Sequence, residues 1–98
     1  MRLTDLSPAW VGTLDGRHGT GVSFDCPCCR TRGGADRIVR RIHVMFVEPL
    51  DGGAPVRSHG PLWKRIGESF ETLTLTPSVD ASSDGHWHGH VTNGEASP

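Results

Sequence analysis

The stretch DGHWHGHVTNGE, residues 84–95, decides how this chain is read. It sets His86, His88 and His90 at alternate positions beside Trp87 and Val91, then runs into Asn93-Gly94, a strong hairpin-turn pair. Side chains alternate faces along a strand, so this reading puts all three imidazoles on one side and Trp87 on the other. Residues i and i+2 lie roughly 6.6 Å apart at a rise of about 3.3 Å per residue, a baseline from which two imidazoles can converge on one ion. His86 and His90 are about 13 Å apart on the same rise, so the segment offers one H-x-H pair and a spare. The plain alternative is a solvated histidine face.

Outward from this strand the chain repeats one pattern: short alternating runs between Gly, Pro and Asp punctuation, as in an all-β domain. GTGVSFDC (19–26) alternates towards the cysteines. IVRRIHVMFV (38–47) puts Ile42, Val44 and Phe46 on one face, with Arg41, His43 and Met45 on the other. LWKRI and SFETLTLTPSVD read as two more strands, with Leu73 and Leu75 alternating with Thr72, Thr74 and Thr76. Residues 48–61 read as a loop. No 11-residue window has helical periodicity, and there is no internal repeat. The expectation is one small, loop-rich β domain over residues 1–98, with loose ends at about 1–6 and 96–98.

Composition narrows what such a domain can be. Leu, Ile, Val and Phe together number only 21 of the 98 residues, whereas glycine alone supplies 13. A core this thin calls for a staple, either a disulfide or a metal. The net charge of −1 gives no general pull towards a polyanion or polycation. MRLTDLSPAW has neither the basic start nor the apolar run of a signal peptide, and no stretch approaches the ~20 apolar residues of a membrane span. The expected setting is the cytoplasm, where thiols stay reduced.

That setting bears on Cys26, Cys28 and Cys29. Three cysteines within four positions do not make a disulfide framework, but FDCPCCR contains a C-P-x-C turn of the kind that presents two thiolates to one ion. Redox chemistry is the rival for such a motif. It is set aside because RTRGG, which follows, does not look like a helix start. Joined to the H-x-H strand, the turn completes a zinc-ribbon-like or Rieske-like Cys/His site. The expected ligands are Cys26, Cys29, His86 and His88, with Cys28 and His90 as alternates, holding one Zn²⁺ per chain. Zinc is preferred over iron on ligand softness. The ligand groups are far apart in sequence, so the ion would remove much chain freedom. His18, His43 and His59 lack partner spacing, and Trp10, Trp63 and Trp87 read as packing residues.

Two further functions compete with a structural role for the ion. An enzyme would need an open metal position, with Asp84, Glu71 or Glu95 as a base. Nucleic-acid binding could use Arg30, Arg32, Arg37, Arg40 and Arg41, yet no aromatic residues interleave with them to stack bases, and a solvated face is the simpler account. A non-catalytic module working by protein contact fits better, with residues 50–61 and the arginine run as candidate surfaces.

The segments MRLTDL, GVSFDCPCC, MFVEPLDGG, PLWKRIGESFETLTLTPSVD and HWHGHVTNGE together resemble a family of small phage and prophage proteins of unknown function, whose members often carry the label "ammonia monooxygenase". The resemblance covers nearly the whole chain, and ETLTLTPS with HWHG…NGE is its most specific part. It implies a short β-rich domain with a Cys/His site at Cys26, Cys29 or Cys28, His86 and His88, and a host or phage protein as partner. Some relatives place a cysteine where this chain has Gly85, so His86 would take over that role here. The monooxygenase label is rejected, because a membrane copper enzyme needs spanning helices.

Overall fold

A computed structural model of the chain describes residues 1–32, 40–56, 61–82 and 86–97. His59, Asp84, Gly85 and Arg37 lie outside the described residues. The fold is mostly β, as the alternating runs imply. Among the described residues, seven strands form two antiparallel sheets. In the first, β1 (Ala9–Gly12), β2 (His18–Asp25) and β3 (Arg41–Met45) lie in chain order. In the second, β4 (Lys64–Ile66), β5 (Thr74–Asp80), β6 (His88–Thr92) and β7 (Glu95–Ser97) do the same. The sheets meet edge to edge at one parallel bridge, Phe46 to Trp63.

Alternation explains what each strand buries. Ile42, Val44 and Phe46 turn inwards from the β3 segment while His43 is exposed. Leu75, Val79 and Val91 do the same in the second sheet. β2 is the exception. Thr20 through Phe24 are all buried, because this central strand is covered on both faces. Its buried hydroxyls have partners: Thr20 donates to the Val11 carbonyl at 3.1 Å, and Ser23 accepts from Arg41 at 2.8 Å. Trp87 is buried edge-on to Phe24, and Trp10 stacks on Phe70 with ring centroids 4.4 Å apart.

Asn93 and Gly94 both have positive φ, 47° and 76°, as the expected tight two-residue hairpin requires. Three expectations need correction. First, β7 pairs with β6 as a return strand, so residues 96 and 97 are not loose. A side chain at Gly94 would meet the carbonyl oxygens of Phe70 and Glu71 at 2.6 Å, so the turn is seated against the chain that leads into β5. Second, the N-terminal segment is not loose. Leu3 and Leu6, on a 3-10 turn, are fully buried, and Leu3 N–H donates to the Gly94 carbonyl at 2.7 Å. Third, a short helix α1 (Pro27–Arg32) follows the first cysteine. Proline suits the first helical position, where its missing N–H costs nothing. Six residues carry too little periodicity to be read from sequence.

Within the arginine run Arg40 is exposed, but Arg41 is half-buried and engaged. Arg41 donates to Asp25 at 2.9 Å and to the Ser7 carbonyl at 2.7 Å, fastening β3, β2 and the N-terminal segment together. No helix among the described residues is long and apolar enough to cross a membrane.

Burial of the N-terminal turn can be measured. Leu6→Ala should lower the unfolding free energy by about 2–5 kcal/mol in a urea titration, the usual cost of a cavity in a packed core. A loose end would lose less than about 0.5 kcal/mol.

Candidate metal centre

The site forms where the end of β2 meets the approach to β6. β2 delivers Cys26, whose N–H donates to the Arg40 carbonyl at 2.7 Å. The chain then turns into α1, with Cys29 N–H donating back to the Cys26 carbonyl at 3.1 Å. Adjacent residues in a helical turn fan out by about 100° rather than pointing to opposite sides as in a strand. Cys28 and Cys29 can therefore face the same point. Across from them stands His86, held by its own N–H to the Ala81 carbonyl at 3.1 Å.

One ligand atom from each of Cys26, Cys28, Cys29 and His86 lies within 4.8 Å of all the others, and the group could hold a metal ion. The imidazole Nδ1 is 3.6, 3.8 and 3.4 Å from the sulfurs of Cys26, Cys28 and Cys29. A tetrahedral ion with bonds of about 2.3 Å to sulfur and about 2.0 Å to nitrogen sets sulfur–nitrogen separations of about 3.5 Å. The three distances bracket that value. The Cys26 and Cys28 sulfurs, at 3.1 Å, are closer than the about 3.8 Å the same tetrahedron sets, and would spread by several tenths of an ångström around an ion. Cys26 and Cys29 are buried, while Cys28 and His86 are half-buried.

Electrostatics among the thiols are uneven. Burial opposes ionisation of Cys26, but hydrogen bonds from the Cys28 thiol, the Cys29 and Trp87 main chain and His86 outweigh it and lower its pKa. Burial, together with the neighbouring Cys26, raises that of Cys28. Of these two thiols Cys26 ionises the more readily, and loading the full set with a cation would release protons.

Of the residues expected from sequence, the structure brings Cys26, Cys29 and His86 together, with the alternate Cys28 joining them as a fourth donor. It does not bring His88 or His90 there. β6 begins only at His88, so His86 lies before the strand and does not share its face. His88 is exposed, and its Nε2 lies 3.1 Å from Ser78 Oγ. His90 is exposed further along the same strand. Of the bases considered for an enzyme, Glu95 pairs with Thr92, about 13 Å along β6 from His88, and forms ion pairs with the Met1 amino group and Arg2. Glu71 sits beside the Asn93-Gly94 turn at that same far end.

Comparison with protein-family models, with curated proteins and with solved structures returns no match for this chain. The site must therefore be argued from its own chemistry: a three-thiol, one-imidazole donor set at the junction of two small sheets.

That donor set makes a sharp prediction about which side chains matter. Cys28→Ser should weaken metal binding by much more than the roughly tenfold typical of losing an outer partner, whereas His88→Ala should leave it unchanged. Competition against a chromogenic chelator measures both. Loss of the metal from the His88 variant would contradict the geometry described.

Proposed function

We propose that this chain is a zinc-stapled β module of the small phage-type family its motifs resemble, acting by contact with a host or phage protein rather than by catalysis. The observation that carries the proposal is the convergence of four protein donors on one point. Four ligands close a tetrahedral site, which is the mark of structural zinc; catalytic zinc keeps a position open for water. Soft thiolates favour zinc over the hard divalent cations, and three sulfurs from one turn with a single imidazole favour a mononuclear ion over a two-iron cluster. A reducing cytoplasm is the setting in which such thiols stay available.

The energetic role of the ion follows from separation along the chain. Cys26 and His86 are 60 residues apart. Closing a loop of that length with a covalent link is worth about 4 kcal/mol in chain entropy, a large share of the stability of a small domain. Within the arginine run, Arg41 is already engaged by Asp25 and by main-chain carbonyls, which counts against its use on a phosphate backbone.

Stripping the metal tests the staple. Chelation should abolish the cooperative thermal transition followed by circular dichroism, and added Zn²⁺ should restore it. An apoprotein that melts cooperatively at the same temperature would refute the structural role. So would turnover dependent on an exchangeable water at the ion.

A further inference from the structure

Between the two sheets, beside the metal centre, lies a slot of about 200 Å³ whose walls are strand edges. The β2–β3 ladder fixes which way the β3 main chain points. Arg40 and Phe46 both bond across to β2, through Cys26 N–H to the Arg40 carbonyl and Phe46 N–H to the Thr20 carbonyl. Even-numbered residues of this strand therefore face β2, and the odd ones present N–H and C=O to the opposite side. Met45 and Val47 use that side to bond Trp63. Arg41 and His43 have no main-chain partner there among the described residues.

The opposite wall is β5. Val79 pairs with Gly89 and Ala81 N–H donates to the Trp87 carbonyl, so these residues face β6. Ser78 and Asp80 then present their main chain to the slot. The Trp63 indole N–H already points at the Ser78 carbonyl, at 3.3 Å. β4 covers β5 only from Thr74 to Thr76 and leaves Asp80 uncovered.

At one end of the gap Trp63 bonds to the β3 side and β4, which follows it, bonds to β5, so a single strand spans the two walls there. At the other end, Cys26 bonded to Arg40 and His86 bonded to Ala81 hold the two walls at the metal centre. Among the described residues, pairing with β3 on this side reaches back no further than Trp63. Trp63 donates to the Met45 carbonyl, so in this parallel pairing the residue two places earlier would donate to His43. That residue is proline, which has no N–H to give.

From this we infer that the slot receives an extended segment of a partner polypeptide, which adds as a strand between β3 and β5. The occupant is defined by backbone chemistry, because only an extended chain offers donors and acceptors to both edges at once. Alternate side chains of the segment would face Ile42, Val79 and Trp63, so a small branched apolar residue suits the inward position. His43 and Asp80 are exposed at the mouth, so polar residues suit the outward ones. The inference deepens the contact reading and rests on it for the existence of a partner. The slot itself is defined by the ladders.

The probe is a fluorescein-labelled heptapeptide in which valine alternates with glutamate, titrated by anisotropy into zinc-loaded protein whose metal content is measured in the same sample. Saturable binding is expected, with amide exchange at Arg41, His43 and Asp80 slowed at least about tenfold in the bound state. Methylating alternate amides of the peptide should abolish binding, a control independent of whether any variant folds. His43→Pro, which removes a donor facing the slot and none facing β2, should weaken binding as well. Equal binding of the methylated peptide would overturn the inference, as would absent binding to fully metallated protein. Exchange protection of those amides in concentrated protein alone would also overturn it, by making a second copy the occupant. Loss of binding only in metal-poor samples, with full binding on zinc addition, would uphold the slot.

Discussion

Everything in this fold leans on one junction, the point where the cysteine turn after β2 faces His86 before β6. Among the described residues the two sheets share one isolated bridge, Phe46 to Trp63, and the large hydrophobic residues in the chain are few. Hydrophobic burial of that extent leaves a domain of this size marginal against chain entropy. A metal held by the four converging donors would change that balance, because they come together only when both sheets are in place. Under the proposed staple, cooperativity between the sheets would come from coordination chemistry as much as from packing.

The surrounding architecture reads as support for the junction. The Arg40 and Ala81 carbonyls fix the main chain on either side of it. Trp87, next to His86, turns inwards against Phe24 on the opposite sheet, so the residue beside the imidazole anchors the core. Arg41 fastens the start of β3 to Asp25, one residue before Cys26. These contacts orient the donors without occupying them, as outer partners of a metal site do. The same contacts frame the open strand edges beside the centre, so the proposed staple and the proposed docking slot share their supports.

What could be read in advance follows from where periodicity exists. Ile42, Val44 and Phe46 alternate, as do Leu73 and Leu75, and Asn93-Gly94 dictates its own turn, so the β class and most strand positions were legible. The N-terminal turn was not. Leu3 and Leu6 sit on a 3-10 turn of four residues, and nothing local says that such a pair lies across β2 and the last hairpin. The site was half legible, for two physical reasons. A cysteine pair spaced as C-x-x-C suggests two ligands from an extended knuckle, whereas Pro27 starts a helical turn that swings Cys28 in beside Cys29. The H-x-H spacing implies a shared face only if the strand includes both histidines, and here it starts at the second. Pro27 was the one available signal for the first. No sequence feature marked the second.

The central claim is that three sulfurs and one imidazole hold a single ion, and zinc K-edge X-ray absorption on tag-free protein tests it most directly. One zinc per chain, with three sulfur neighbours at about 2.3 Å and one nitrogen at about 2.0 Å, is the expected result. Two sulfurs with two nitrogens would contradict the donor set, by returning His88 or His90 to the metal. A folded protein that carries no metal at all would contradict the account as a whole.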